Sequence, residues 1–420
     1  MKFQKEENTK VRFEKDGIYI MNSKYQTKEK IIDLEEEGKI FYDAIHSKEI
    51  EDVDKVKNFI NKKFIIPLES YEEKFVGKNL EYTSNPIYMT LGITSNCNYR
   101  CKHCGNNSND KKETDLKKEE IYNLIDQMVD MNLLKLNFTG GEPLTDSNLV
   151  DYIRYAKGKI PRITLTTNGS LITKEKALEL KNAGLNMAKI SLDGLENFHD
   201  NFRNVNGAYK KAINAIKNFS ENGVEVRVQS TLTKNNKDDL ICLMEILSDL
   251  HISHQTIVPV CPIGRADKNM MLEKEEYKEF IKQMYKKVKE LNEQGTVTHF
   301  QIRPIFGAKE LFNDEMQTSF ETLSIKYSCE ALKNTMEIKP NGEVIPCSFL
   351  DIPIGNAKIQ SLKEIWQTLK ANEMREIFKN NNKNEQCLKC EKNNICNGGC
   401  IANKYYYYKD FNKKDPYCFI

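Results

Sequence analysis

The chain predicts an α/β fold on three observations. Six short apolar runs recur with amphipathic stretches between them, glycine and cysteine motifs follow the ends of the early runs, and a second cysteine array closes the chain. Regular strand–helix alternation gives parallel strands with helices outside. Ahead of it, residues 1–84 stand apart. Val11-Arg12-Phe13-Glu14-Lys15 and Ile18-Tyr19-Ile20-Met21 alternate around Asp16-Gly17, a pair suited to a two-residue hairpin turn. Helices are expected near residues 28–46 and 50–63, with apolar residues such as Ile32, Leu34, Ile40, Phe41 and Ile45, and Phe64-Ile65-Ile66 reads as a short strand.

Residues 85–304 hold the alternation, with strands expected at 87–93, 135–139, 163–167, 187–192, 224–232 and 256–258 and a further one at 299–302. Sheets closed from parallel strands carry their chemistry at the C-terminal strand ends. The motifs lie there: Cys97, Cys101 and Cys104 after the first strand, Gly140-Gly141-Glu142-Pro143 after the second, Thr167-Asn168-Gly169 after the third, and Ser191-Leu192-Asp193-Gly194 closing the fourth. A charged helix from 272 to 294 presents a solvated face. In residues 305–420, runs at 335–339 and 343–345 pair across Asn341-Gly342 and bring Cys347 near Cys329. A helix near 361–379 leads to the last cysteines, around which Tyr405 to Tyr408 are expected to pack.

Lys+Arg 63 against Asp+Glu 61 leaves no strong field to attract nucleic acid or a membrane surface. The chain has no apolar run of about 18 residues, and its start lacks the apolar core of an export signal, so a cytoplasmic protein is expected. Twelve cysteines in such a chain argue for metal or catalytic use rather than disulfides. Two fall outside the arrays. Cys242, in the run Leu240-Ile241-Cys242-Leu243-Met244, reads as core filler. Cys261, just after the sixth strand, reads as a packed thiol, with a hydrogen donor, an acid or a stray ligand as alternatives.

The spacing C-x3-C-x2-C at Cys97, Cys101 and Cys104 can hold three irons of a cubane cluster and leave the fourth without a protein ligand. The competing reading is a structural zinc loop, which needs a second pair nearby; the next cysteine is Cys242. With the glycine motifs in this order, the chain resembles the radical S-adenosylmethionine (SAM) superfamily. The resemblance implies a partial (β/α)6 barrel and a cluster that reduces SAM to a 5′-deoxyadenosyl radical, which takes a hydrogen atom from substrate. By position it assigns SAM contacts to Gly140, Gly141 and Glu142, to Asn168, to Ser191 and Asp193, and to His103 beside adenine. Arg203, in His199-Asp200-x-x-Arg203, and Arg265, in Gly264-Arg265-Ala266, match family positions as SAM or substrate contacts, with a solvated salt bridge as the alternative.

Cys329, Gly342, Cys347, Cys387, Cys390, Cys396, Cys400 and Cys418 match the SPASM extension. That resemblance implies an α+β domain with two auxiliary [4Fe–4S] clusters, three in all. Cys387, Cys390, Cys396 and Cys418 would hold the distal one, and Cys329, Cys347 and Cys400 the proximal one. A pair of structural zinc sites is the alternative. No cysteine stands between Cys329 and Cys347, so the proximal set lacks a fourth thiolate: it comes from elsewhere, or an iron there is open to a substrate thiolate.

The first 84 residues are similar to the winged-helix-like element with which peptide-modifying relatives bind a leader peptide as an added strand. The implied function is maturation of a ribosomally made precursor peptide through a cysteine thioether crosslink, as in sactipeptide and ranthipeptide maturases, served by a flavodoxin- or ferredoxin-type electron donor. A carbon–carbon crosslink, an oxidative decarboxylation or anaerobic sulfatase-type formylglycine formation fits the same motifs. Ser348, where the last relatives carry an Asp after the cysteine, weakens the sulfatase reading. A zinc-binding adaptor is the non-enzymatic alternative.

Overall fold

The computed structural model describes residues 82–110, 112–302, 329–391, 393 and 398–418, and before them Phe41 and five strands between residues 3 and 67. Those strands are β1 (Phe3–Lys5), β2 (Thr9–Glu14), β3 (Gly17–Asn22), β4 (Thr27–Ile31) and β5 (Ile65–Pro67). β2, β3 and β4 form an antiparallel sheet, and β1 pairs antiparallel with β5. Glu14 stands opposite Gly17, so Gly17 belongs to β3 rather than to the Asp16-Gly17 turn expected, and residues 15–16 lie outside the described residues. β4 replaces the start of the helix expected over 28–46, because Thr27–Ile31 completes the backbone pairing of β3. Ile20 and Phe41 are buried; the helix expected at 50–63 lies outside the described residues.

From β6 (Tyr88–Gly92) onward, β7 (Lys135–Thr139), β8 (Arg162–Thr167), β9 (Met187–Ser191), β10 (Glu225–Leu232), β11 (His254–Pro259) and β12 (His299–Ile302) stand side by side in chain order, all parallel. The six expected strands and the further one at 299–302 thus stand together in one open sheet. Between them run α1 (Lys118–Asp130), α2 (Leu149–Ala156), α3 (Lys174–Ala183), α4 (Glu196–Arg203), α5 (Ala208–Glu221), α6 (Lys237–Asp249) and α7 (Lys274–Glu293). Strand side chains alternate faces, and β10 shows the division. Val226, Val228, Ser230 and Leu232 are buried, while Glu225, Arg227, Gln229 and Thr231 are partly exposed. The core joins sheet residues Leu136, Phe138, Leu165 and Ile190 to helix residues Leu124, Ile153, Leu180, Ile216, Leu243 and Phe280. Each such side chain contributes about 1.5–3 kcal/mol when fully buried.

β13 (Thr335–Ile338) pairs parallel with β6, Met336 opposite Met89, and β14 (Glu343–Ile345) and β15 (Gly355–Asn356) continue antiparallel from it. The C-terminal hairpin therefore extends the main sheet to ten strands. Its turn closes with the Gly342 N–H donating to Lys339 O at 2.9 Å, Gly342 at φ 85°. The helix expected at 361–379 is two, α8 (Leu362–Gln367) and α9 (Leu369–Lys379). Thr368 ends the first in an extended conformation and caps the second by accepting from Ala371 N at 3.1 Å. Beyond them lie α10 (Glu385–Leu388) and α11 (Ile401–Tyr408). Cys242 is exposed, contrary to expectation, because α6 turns Leu240, Leu243, Met244 and Leu247 inward and Cys242 to the other face. Among the described residues no helix is long and apolar enough to cross a membrane.

Candidate functional site

The loop after β6 carries Cys97, Cys101 and Cys104, and its shape is imposed by close backbone contacts. Gly141 N donates to Thr94 O at 2.7 Å and Glu142 N to Asn96 O at 2.8 Å, locking the first two strand-end loops together. A Cβ on Gly140 would stand 2.4 Å from Thr94 O, and one on Gly141 2.2 Å from Asn96 O, so only glycine permits this approach. Asp115 accepts from Ser95 N and Oγ, and Cys97 N donates to Asn109 O. A third loop closes the other side: Arg265 donates from its backbone N to Cys104 O, from Nε to Cys101 O at 2.8 Å and from Nη1 to Ser108 O. Arg265 thus shapes the cysteine loop through its carbonyls.

The three thiols line one cavity of about 250 Å³ at the C-terminal strand ends. Burial raises Cys97 to about 11 and also raises Cys101, so deprotonating them without a cation is unfavourable. Three thiols lining one cavity suit an iron–sulfur cluster.

Gly140, Gly141, His103, Asn168, Ser191 and Arg203 line the same cavity. Asn168 nevertheless spends its amide within the protein, Nδ2 donating to Asn98 Oδ1 and Oδ1 accepting from Ser170 N, which ties the cysteine loop to the end of β8. Glu142 and Asp193 are absent from the cavity wall. The buried Glu142 carboxylate accepts from Thr167 Oγ1 and Asn168 N, each at 2.7 Å, and from Leu144 N. Burial outweighs these hydrogen bonds and raises its pKa to about 7. Asp193, fully buried, accepts from Arg203 and Thr231 N; burial alone would raise its carboxyl, but Arg203, His103 and His199 hold it at about 2. His103 stacks on Phe202, ring centroids 3.9 Å apart. Burial, then Arg203, lowers it to about 3, and its neutral Nδ1 is buried without a partner among the described residues, available to a bound molecule.

The wall also contains Ser348 and, among residues that sequence reasoning missed, Tyr99, Thr166, Gln229, Thr231 and Phe349. For Thr166, Gln229 and Thr231 the signal was the alternation of β8 and β10, which places polar residues on the inner face. Cys261 lines the wall too, buried, with burial and then Asp415 raising its thiol to about 12.

The SPASM resemblance divides the second array into two sets. Cys347 is raised to about 12 by burial and then by Cys329, and Cys400 is raised by burial, Asp415, Cys329 and Cys347, so these three lie together. Cys387, Cys390 and Cys418 line a separate cavity with Asp415 and Gly398; Cys396 lies outside the described residues. Asp415 links the groups by accepting from Cys400 N at 2.6 Å. Ser348 carries the cysteine set to the first cavity and donates its hydroxyl to the buried Glu337 of β13, whose carboxyl burial raises to about 7. The tyrosines of α11 do not line the second cysteine cavity. Tyr405 stacks on Phe411, Tyr406 OH accepts from Asp351 N, and Tyr407 O accepts from Lys268.

Known proteins agree with this layout. Residues 91–247 match the Radical SAM superfamily and residues 329–391 the SPASM iron–sulfur cluster-binding domain. An AdoMet-dependent heme synthase of Methanosarcina barkeri is 26% identical over 343 residues, 80% of this chain and 97% of that protein. The crystal structure of Streptococcus suis SuiB bound to S-adenosylmethionine superposes with a TM-score of 0.72 at 18% identity, covering 99% of this chain and all of that one; SuiB bound to precursor peptide SuiA gives 0.71 at 19%, covering 98% of each. Native anSMEcpe with bound AdoMet gives 0.63 at 20%, covering 79% of this chain and 94% of that one. Joined to the cysteine geometry, these matches make the chain a radical SAM enzyme with a C-terminal SPASM domain, a protein of iron–sulfur clusters and SAM.

Proposed function

We propose that this enzyme matures a ribosomally made precursor peptide and closes a cysteine thioether crosslink in it. The observation that carries the reading is extent: the fold likeness to SuiB, which was crystallised with its precursor peptide, runs over 98–99% of this chain. It therefore takes in the three-stranded sheet β2–β4, whose edges offer backbone to an added peptide strand. We assign residues 1–84 to leader recognition, 85–304 to the radical SAM domain and 305–420 to the SPASM domain.

Cys97, Cys101 and Cys104 would hold the SAM-cleaving cluster, and the other seven array cysteines two auxiliary clusters. When bound, the first cluster and SAM supply the 5′-deoxyadenosyl radical. Around it, Gly140, Gly141, Ser191, Arg203 and His103 would seat SAM, while Thr166, Gln229 and Thr231 shape the inner wall. Ser348 and Phe349, directly after Cys347, border the substrate side and bring the incomplete Cys329–Cys347–Cys400 set to the same cavity. A flavodoxin- or ferredoxin-type protein would deliver the electron.

A second reading, tetrapyrrole chemistry, is favoured by the curated heme synthase relatives, which leave about a fifth of this chain unmatched. Anaerobic incubation with SAM, reductant and a short cysteine-bearing peptide encoded beside the gene separates the two. Loss of about two hydrogens per crosslink by mass spectrometry supports the peptide reading, since coupling S–H to C–H removes both. An unmodified peptide together with turnover of an iron porphyrin precursor overturns it.

A further inference from the structure

Two arginines grip Cys101, Arg265 from the loop after β11 at its carbonyl and Arg203 from the end of α4 at its sulfur. Arg203 closes α4 and is held on every side. Its Nε and Nη2 both donate to Asp193 Oδ2 at 2.7 Å, which aims Nη1 at Cys101 Sγ, 3.9 Å away. Asp193 is itself immobilised: Oδ1 accepts from Thr231 N at 2.8 Å, its backbone N donates to His199 Nδ1 at 3.0 Å, and its backbone O accepts from Asn236 Nδ2 at 2.6 Å. The same end of α4 is fastened to the cysteine loop independently, by Lys102 N donating to Phe202 O at 3.0 Å and by the His103–Phe202 stack. The guanidinium side chain is only 11% exposed, so its charge acts through a medium of low dielectric. A second cation beside the loop, Lys102, reaches out to Asn201 Oδ1 in solvent, where screening removes most of its influence.

We propose that Arg203, clamped by Asp193, is a positioning residue that sets the electron affinity of the cluster held by Cys97, Cys101 and Cys104, acting through the Cys101 sulfur. A fixed cation against a cluster thiolate stabilises the more negative, reduced state. This role is additional to any contact of Arg203 with SAM, and it rests on the assignment of the three cysteines as cluster ligands.

The test is an EPR-monitored redox titration of anaerobically reconstituted full-length protein without SAM, on wild type, Arg203→Met, Arg203→Lys and Lys102→Met, with iron content measured on each. Full iron and an intact cluster signal show that the cluster persists in the variants, and loss of that signal on replacing Cys97, Cys101 and Cys104 together by alanine tests the ligand assignment separately from the inference. At one applied potential, the reduced fraction of the first cluster should fall several-fold in Arg203→Met, recover in part in Arg203→Lys, and stay at the wild-type level in Lys102→Met. A cluster of unchanged potential in Arg203→Met overturns the proposal. Should Arg203→Met fail to hold the cluster, Arg203→Lys decides: a lowered reduced fraction supports the proposal, and wild-type behaviour there overturns it.

Discussion

At the scale of single residues, the site is built from buried polar groups whose partners are other protein groups. Glu142 illustrates the difference between lining a cavity and supporting it. Its carboxylate receives three donors and stitches the loop after β7 to the end of β8. A glutamine there can accept with only one atom and turns an N–H toward a donor, so Glu142→Gln should cost about 1–3 kcal/mol in urea unfolding of the metal-free protein. The pH dependence follows from the sign of the shift. With its folded pKa raised to about 7 from 4.5, Glu142 contributes its full stability below about pH 4.5 and loses it as pH rises through 7. Glu337 is raised in the same sense, so the diagnostic is the difference between wild type and Glu142→Gln, which should shrink from pH 5 to pH 8. Replacing Cys97, Cys101 and Cys104 together by alanine should abolish 5′-deoxyadenosine formation while leaving about eight irons per chain in the second array; continued production, read by chromatography, would refute their role.

At the scale of elements, close backbone contact decides what is tolerated. An alanine at Gly141 would place Cβ 2.2 Å from Asn96 O, and backbone cannot yield there without opening the cysteine loop. Gly141→Ala should therefore lose about four irons, those of the first cluster, and retain the rest; iron analysis reads this directly. Much at this scale was legible beforehand, because strands β6 to β12 are runs of β-branched and apolar residues bounded by turns, and the cysteine spacing is local. What escaped had physical causes. Thr27–Ile31 reads Thr-Lys-Glu-Lys-Ile, too polar to announce a strand, and is identified only by its pairing with β3. Cys242 sits in an apolar run too short to fix the phase of its helix, and it fell on the exposed face. Thr166, Gln229 and Thr231 look like ordinary strand residues until register brings them to one wall.

At the scale of the whole molecule, the feature no local pattern could disclose is the union of the radical SAM sheet with the SPASM hairpin. β13 lies more than two hundred residues beyond β6, yet pairs with it over four positions, Thr335 opposite Tyr88 through Ile338 opposite Leu91. The junction is reinforced at its base, where Trp366 Nε1 donates to Thr83 O at 3.0 Å and the Arg375 guanidinium lies 3.8 Å from the centre of the Tyr82 ring. The second cysteine array is thereby held against the first cavity by a continuous sheet rather than by a linker. Ending the chain at residue 304 removes β13 and leaves the backbone of β6, an apolar strand with Met89 and Leu91 fully buried, as an open edge. Exposed edges of that kind recruit other chains. The truncated protein should accordingly aggregate on expression or elute as large oligomers in size-exclusion chromatography, while Trp366→Ala in the full chain, which keeps β13, should remain soluble and melt lower by about 3–5 kcal/mol of stability. A soluble, monomeric truncation that still binds one cluster would show the two parts to be separable, and the shared sheet would then be a contact between independent domains.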